Sequence, residues 1–109
     1  MAKPEKTWEK REKYAEILRN VDEKEKDLVW GVVEEIIYCE VKMEELKTMP
    51  FIIRHPKHPD LTKITPAARL YRDMFASYSN GIRILINVLR KVESDAQDEL
   101  LRKLEEFSL

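Results

Sequence analysis

Apolar residues recur at helical spacing along most of the chain. Within residues 22–48 they fall three or four positions apart, as at Val29, Val33 and Ile36. The same spacing continues through residues 65–92. Side chains three or four positions apart share one face of an α-helix, so each segment predicts a long amphipathic helix. We expect an all-α fold whose two long helices pack as an antiparallel pair.

A shorter helix is predicted at each end of this pair. Residues 1–19 carry apolar side chains at a looser spacing, since Trp8 and Tyr14 are six positions apart. Residues 94–109 combine acidic side chains with leucines and a phenylalanine. No internal repeat or linker interrupts the order, so a single helical domain is expected.

Capping residues mark where the long helices begin. Asp22 followed by Glu25 suits an N-cap with an acidic first turn. Thr65 followed by Pro66 gives a cap and then proline at the first helical position.

Two glycines lie inside the long helices. Gly31 costs up to ~1 kcal/mol relative to alanine, and a close crossing of another helix would explain its presence. Asn80 and Gly81 form a turn-prone pair within residues 65–92. We expect this helix to continue through them, because the apolar stripe keeps its phase on both sides.

Residues 49–64 are predicted to be a proline-rich loop containing H-P-K-H-P-D. Its apolar run at 51–53 has two interpretations, a short strand or a plug over the helix pair. His55, His58 and Asp60 are residue types that bind metals. Neighbouring side chains diverge in an extended loop, however, and no second cluster of ligands follows in the sequence. No metal or other cofactor is therefore predicted.

Charge is unevenly distributed, although the 109 residues carry a net charge of only -1. Residues 51–93 contain eight Lys/Arg against three Asp/Glu, whereas both flanks are acidic. This basic island is a candidate phosphate-binding surface, and ordinary solubilising charge explains it about as well. Its candidate DNA-binding residues are Lys57, Lys63, Arg69, Arg72, Arg83, Arg90 and Lys91.

Residue patterns typical of catalysis are missing from the sequence. The glutamate pairs at 34–35 and 44–45 are adjacent, so their side chains point about 100° apart on a helix and share no face. No glycine-rich phosphate loop occurs. The single cysteine, Cys39, lies in an apolar run and is expected to pack as a small hydrophobic side chain. We therefore expect no enzymatic activity.

Targeting and membrane signals are also missing from the sequence. The first residues are too polar for a signal peptide, and no run of about 18 apolar residues occurs. A soluble, intracellular protein without membrane contact is the expectation.

Several segments together resemble the small subunit of the tailed-bacteriophage terminase, of the kind found in phages of Gram-positive hosts. They are YAEILRNVDEKEKDLV at 14–29, VVEEIIYCEVKMEEL at 32–46, the proline-rich loop with its H-P pairs, AARLYRDMFASYSNGIRIL at 67–85, and the acidic Leu/Phe tail. Together they cover most of residues 14–107.

The resemblance implies a helical homo-oligomer in the cytoplasm of the infected bacterial host. Such a subunit binds viral double-stranded DNA and hands it to the large terminase subunit, which holds the ATPase and the nuclease. The helix-turn-helix that begins many small subunits is not recognisable in this sequence.

Under this resemblance, the wide apolar stripes would make the subunit contacts. The residues assigned to oligomerisation are Val29, Trp30, Val33, Ile37, Tyr71, Tyr78 and Ile82. A second interpretation stays open. In it, the chain is a small helical adaptor or inhibitor of another protein, has no nucleic-acid role, and docks through its acidic first and last helices.

Overall fold

Two long helices pack against each other, and a shorter helix lies at each end of the chain. The computed structural model describes residues 6–90 and 94–108. The predicted all-α architecture is confirmed. A small antiparallel hairpin is added in the segment of the chain that connects the two long helices. The elements are α1 (Thr7–Ile17), α2 (Glu23–Leu46), β1 (Ile52–Arg54), β2 (Thr62–Ile64), α3 (Pro66–Leu89) and α4 (Ser94–Phe107).

The close approach of α2 and α3 occurs at Gly81. A Cβ atom added there would lie 2.7 Å from Cγ1 of Ile36 and 3.6 Å from Cγ1 of Val32. Helix α3 runs unbroken through this point, as expected from the phase of its stripe. Gly31 is not at a crossing, since a Cβ there would meet no described atom within 4 Å. The explanation that we offered for Gly31 is therefore wrong and applies to Gly81.

The core of the single chain contains most residues that were assigned to oligomerisation. Tyr78 packs edge-on against Phe107 of α4, with ring centroids 5.1 Å apart. Trp30 is half-buried, and its Nε1 donates to Glu34 at 3.2 Å. Because these side chains are already occupied within one chain, their burial does not support a role in subunit contacts. The fully packed members are Val29, Val33, Ile37, Tyr71, Tyr78 and Ile82, each at most 9% exposed.

A buried ionic cluster joins α1 and α4 to α2. Glu40 is 3% exposed and accepts hydrogen bonds from Lys10, at 3.3 Å, and from the hydroxyl of Tyr14. Lys10 also donates to Glu44 at 2.6 Å, while Lys103 of α4 lies 3.9 Å from Glu40. Burial lowers the pKa of Lys10, but the hydrogen bond to Glu44 and the charge of Glu40 outweigh it and raise that pKa overall. A buried charge is tolerated only when it is paired, so the cluster fixes how the short helices dock.

The hairpin is attached firmly to the end of the helix pair. Thr65 occupies the N-cap of α3, as predicted, and its hydroxyl accepts from the amide of Ala68 at 3.1 Å. The same hydroxyl donates to the carbonyl of Pro50 at 2.8 Å. Phe51 packs on Tyr71 with ring centroids 5.3 Å apart. The segment predicted as a loop is therefore a short projecting hairpin with a fixed base.

Candidate nucleic-acid interface

The hairpin carries cations on both of its faces. Ile53 pairs with Lys63, and Arg54 pairs with Thr62, in an antiparallel register. Neighbouring residues on a strand point to opposite faces, so Arg54 and Lys63 lie on opposite sides. All six strand residues are exposed.

The turn of the hairpin is organised by the imidazole of His55. Its Nδ1 accepts hydrogen bonds from the backbone amides of Lys57, at 3.1 Å, and of His58, at 3.2 Å. The His55 amide donates to the carbonyl of Leu61 at 3.0 Å, which closes the turn. An accepting Nδ1 requires the neutral ring with its proton on Nε2. The histidine therefore stiffens a turn that presents the exposed side chain of Lys57.

The same turn places its two histidine rings beside each other. The rings of His55 and His58 are 5.1 Å apart between centroids, and the Nδ1 of His55 is occupied by backbone amides. Across residues 6–90 and 94–108, no group of three or more His, Cys, Asp or Glu side chains is placed to hold a metal ion.

A stripe of arginines runs along α3 and its C-cap. At about 100° per residue, Arg69, Arg72, Arg83 and Arg90 fall within a sector of about 60°. At about 1.5 Å per residue, the stripe is roughly 30 Å long. All four side chains are exposed, and the helix buries its apolar residues on the opposite side. We call this set the α3 stripe.

The cations of the hairpin and the α3 stripe differ from most other cations of the chain in lacking acidic partners. None of Arg54, Lys57, Lys63 and the four stripe arginines makes an ion pair with another residue that the structure describes. Only Asp60 and Asp73 are acidic in this region. Other cations of the described residues do form ion pairs, among them Lys10, Arg11, Arg19, Lys26, Lys42, Arg102 and Lys103. The exposed surface from 54 to 90 therefore has an excess of unneutralised positive charge.

Reasoning from the sequence assigned most of these residues but not their grouping. The candidate DNA-binding residues predicted from the sequence put the four stripe arginines and the hairpin lysines in one set and left Arg54 out, although Arg54 belongs to the same basic island. The fold places the four arginines in one stripe and the hairpin lysines in a separate group at the start of α3. Lys91 lies outside the described residues.

Comparison with known proteins gives no assignment. No family model, no curated protein and no solved structure matches this chain. Among the helices of the described segments, none combines the length and apolar character needed to cross a membrane.

Proposed function

We propose that this chain is a non-catalytic DNA-packaging subunit of the terminase small-subunit type. In this role it binds viral double-stranded DNA through the α3 stripe. It then recruits or regulates the large subunit that carries the ATPase and the nuclease. The observation that carries the proposal is the set of exposed arginines without acidic partners on one face of α3.

The physical reason is the energetics of phosphate binding. Cations that contact phosphates release condensed counterions from the duplex, and this release gives binding without base contacts. Arginines that are already paired with carboxylates contribute little to such binding. Exposed asparagines, Asn80 and Asn87, lie in or beside the stripe sector and can donate to phosphate oxygens.

The test is binding of a labelled DNA duplex over a series of salt concentrations. For each phosphate that a variant no longer neutralises, the slope of log K against log salt decreases by about 0.9. We expect Arg69→Glu/Arg72→Glu to weaken binding at least about tenfold at low salt and to reduce the slope by about 1.8.

The matched control is Lys24→Glu/Arg102→Glu, which changes net charge equally at exposed positions outside the basic island. It should bind DNA more tightly than the stripe variant. Equal weakening in both variants would show that only total charge matters and would overturn the assignment to the α3 stripe.

The adaptor interpretation has one observation in its favour. Helices α1 and α4 form an open acidic groove, which suits a protein partner better than DNA. If the unmodified chain retains no duplex at low salt, while it forms a stable complex with another protein, the adaptor interpretation replaces the packaging proposal.

A further inference from the structure

The groove between α1 and α4 has an apolar floor and an acidic rim. Its volume is about 630 Å³, and Trp8, Ile17 and Ala96 supply the apolar surface. Trp8 is 54% exposed, which is unusual for so large an aromatic side chain. The rim carries two cations, Lys13 and Arg19, and five carboxylates. The carboxylates belong to Glu9, Glu12, Glu16, Asp95 and Glu99.

The shape of the groove is set by the spacing of residues on α1. Trp8, Glu12 and Glu16 are four positions apart, so they lie along one side of that helix, and Arg19 follows just beyond its end. At about 1.5 Å per residue, this wall is about 12 Å long. The groove therefore has room for an element a few residues long rather than for a single side chain.

The hairpin of the same chain has the complementary chemistry. It presents Arg54, Lys57 and Lys63 against the single carboxylate of Asp60. Its strands of three residues span about 10 Å, which is shorter than the groove wall. Four of its apolar side chains are more than half exposed, namely Ile52, Ile53, Leu61 and Ile64.

A two-stranded hairpin with apolar side chains exposed on both faces is marginally stable alone in water. These side chains are four of the eleven large hydrophobic side chains that are exposed in the described residues, and burying them would stabilise the strand pairing. A partner surface that is both apolar and acidic would therefore match the hairpin.

The α4 wall of the groove and the hairpin lie at opposite ends of α3. Helix α4 starts beside the end of α3, where Gln97 donates to the carbonyl of Leu89 at 3.4 Å. The hairpin precedes the other end of α3, and the molecule is 59 Å long. Because the hairpin and the groove are different patches of the chain, docking of one into the other is head to tail, and such contacts close into rings or extend into filaments.

We propose that the hairpin of one copy docks into the α1/α4 groove of a second copy. The apolar side chains of the hairpin pack on Trp8 and Ile17, and its cations face the carboxylates of the rim. This docking rests on the proposed function in one respect. It leaves the α3 stripe, rather than the hairpin, as the main DNA-binding surface of the assembly.

A charge swap tests this docking directly by native mass from light scattering. The unmodified chain is expected to form a discrete assembly of several subunits that dissociates as salt is raised. Lys57→Glu/Lys63→Glu and, separately, Glu12→Lys/Glu99→Lys should each shift the mass to that of the monomer. All four substitutions in one chain restore opposite charges at the contact and should restore the assembly.

Mixing offers a second route that uses different chains. A chain with the reversed hairpin and an unmodified groove cannot dock on itself, but it complements a chain with a reversed groove. The equimolar mixture should therefore assemble although neither variant does. Circular dichroism checks that each variant keeps its helical content. Lys57→Gln/Lys63→Gln removes the hairpin charges without reversing them, so it should lose the assembly and should not be rescued by the reversed groove.

Two controls separate this interface from general charge effects and from DNA binding. Glu35→Lys/Glu105→Lys changes the net charge as much as Glu12→Lys/Glu99→Lys does, but at exposed positions outside the groove. It should leave the native mass unchanged. Arg69→Glu/Arg72→Glu should weaken duplex binding while the assembly persists. If the charge swap succeeds but the unmodified chain does not bind DNA, the proposed function is refuted and the docking proposal stands.

A monomeric unmodified chain at every concentration and salt would overturn the docking proposal. So would an assembly that survives both separate charge reversals, or one that the combined variant fails to restore. If the groove binds an unrelated basic peptide while the chain stays monomeric, its occupant is another protein and not a second copy.

Discussion

The two helical glycines allow a sharp test of how α2 packs on α3. Replacing either glycine by alanine gains up to about 1 kcal/mol of helix propensity. At Gly31 nothing opposes this gain, because no described atom lies within 4 Å of the added Cβ. We therefore expect Gly31→Ala to stabilise the fold by up to about 1 kcal/mol.

At Gly81 the same gain is opposed by steric overlap. The added Cβ lies 2.7 Å from Cγ1 and 3.1 Å from Cδ1 of Ile36, a side chain that is only 1% exposed and has little room to move. Overpacking of this kind costs about 1–3 kcal/mol. Subtracting the propensity gain leaves Gly81→Ala between neutral and about 2 kcal/mol destabilised. Because the propensity term cancels between the two variants, they should differ by the overpacking cost.

The assay is denaturant or thermal unfolding followed by circular dichroism, at one protein concentration because association makes Tm concentration-dependent. A change of 1 kcal/mol shifts Tm by about 4–8 °C in a domain of about this size. Ile36→Val removes the Cδ1 atom, so its combination with Gly81→Ala should cost less than the sum of the single changes. Equal stabilisation by both alanines would refute the register of α2 on α3.

Two further predictions concern alkaline pH and the hairpin turn. Burial raises the pKa of Cys39 from its ordinary value of 9.0 to about 11, and burial, followed by the charge of Glu40, also raises the pKa of Tyr14 and Tyr78. The unfolded chain therefore releases these protons first, so their contribution to the free energy of unfolding should be steady below about pH 9 and fall above it. Cys39→Ala should remove the part of this fall between pH 9 and 11 that the thiol causes. His55→Ala removes the acceptor of two backbone amides and should speed amide hydrogen exchange at Lys57 and His58, with a change of less than about 1 kcal/mol in global stability. His55→Asn, whose side-chain oxygen can accept similar bonds, should keep most of the protection, and equal exchange in both variants would contradict this role of the imidazole.

Local sequence determined where the two long helices lie and how α3 begins, although Asp22 precedes α2 without a side-chain capping hydrogen bond. The three-to-four spacing of apolar residues depends only on neighbours within a few turns, so it located both long helices. Thr65 and Pro66 act on adjacent backbone amides, and the predicted start of α3 is where the structure has it. The basic island could likewise be counted directly from the sequence, although its role in DNA binding stays a prediction.

Contacts between distant segments were decided only by the tertiary structure. Spacing identifies an apolar face but does not name what covers it, so residues assigned to subunit contacts, such as Tyr78, lie in the core of one chain. A glutamate such as Glu40 becomes a buried anchor only because Lys10 and Lys103 reach it from other helices. The contact of Gly81 with Ile36 depends on the register of α2 on α3, and the pairing of Ile53 with Lys63 depends on the register of the two strands. A register between separate segments cannot be read from the local pattern of either one.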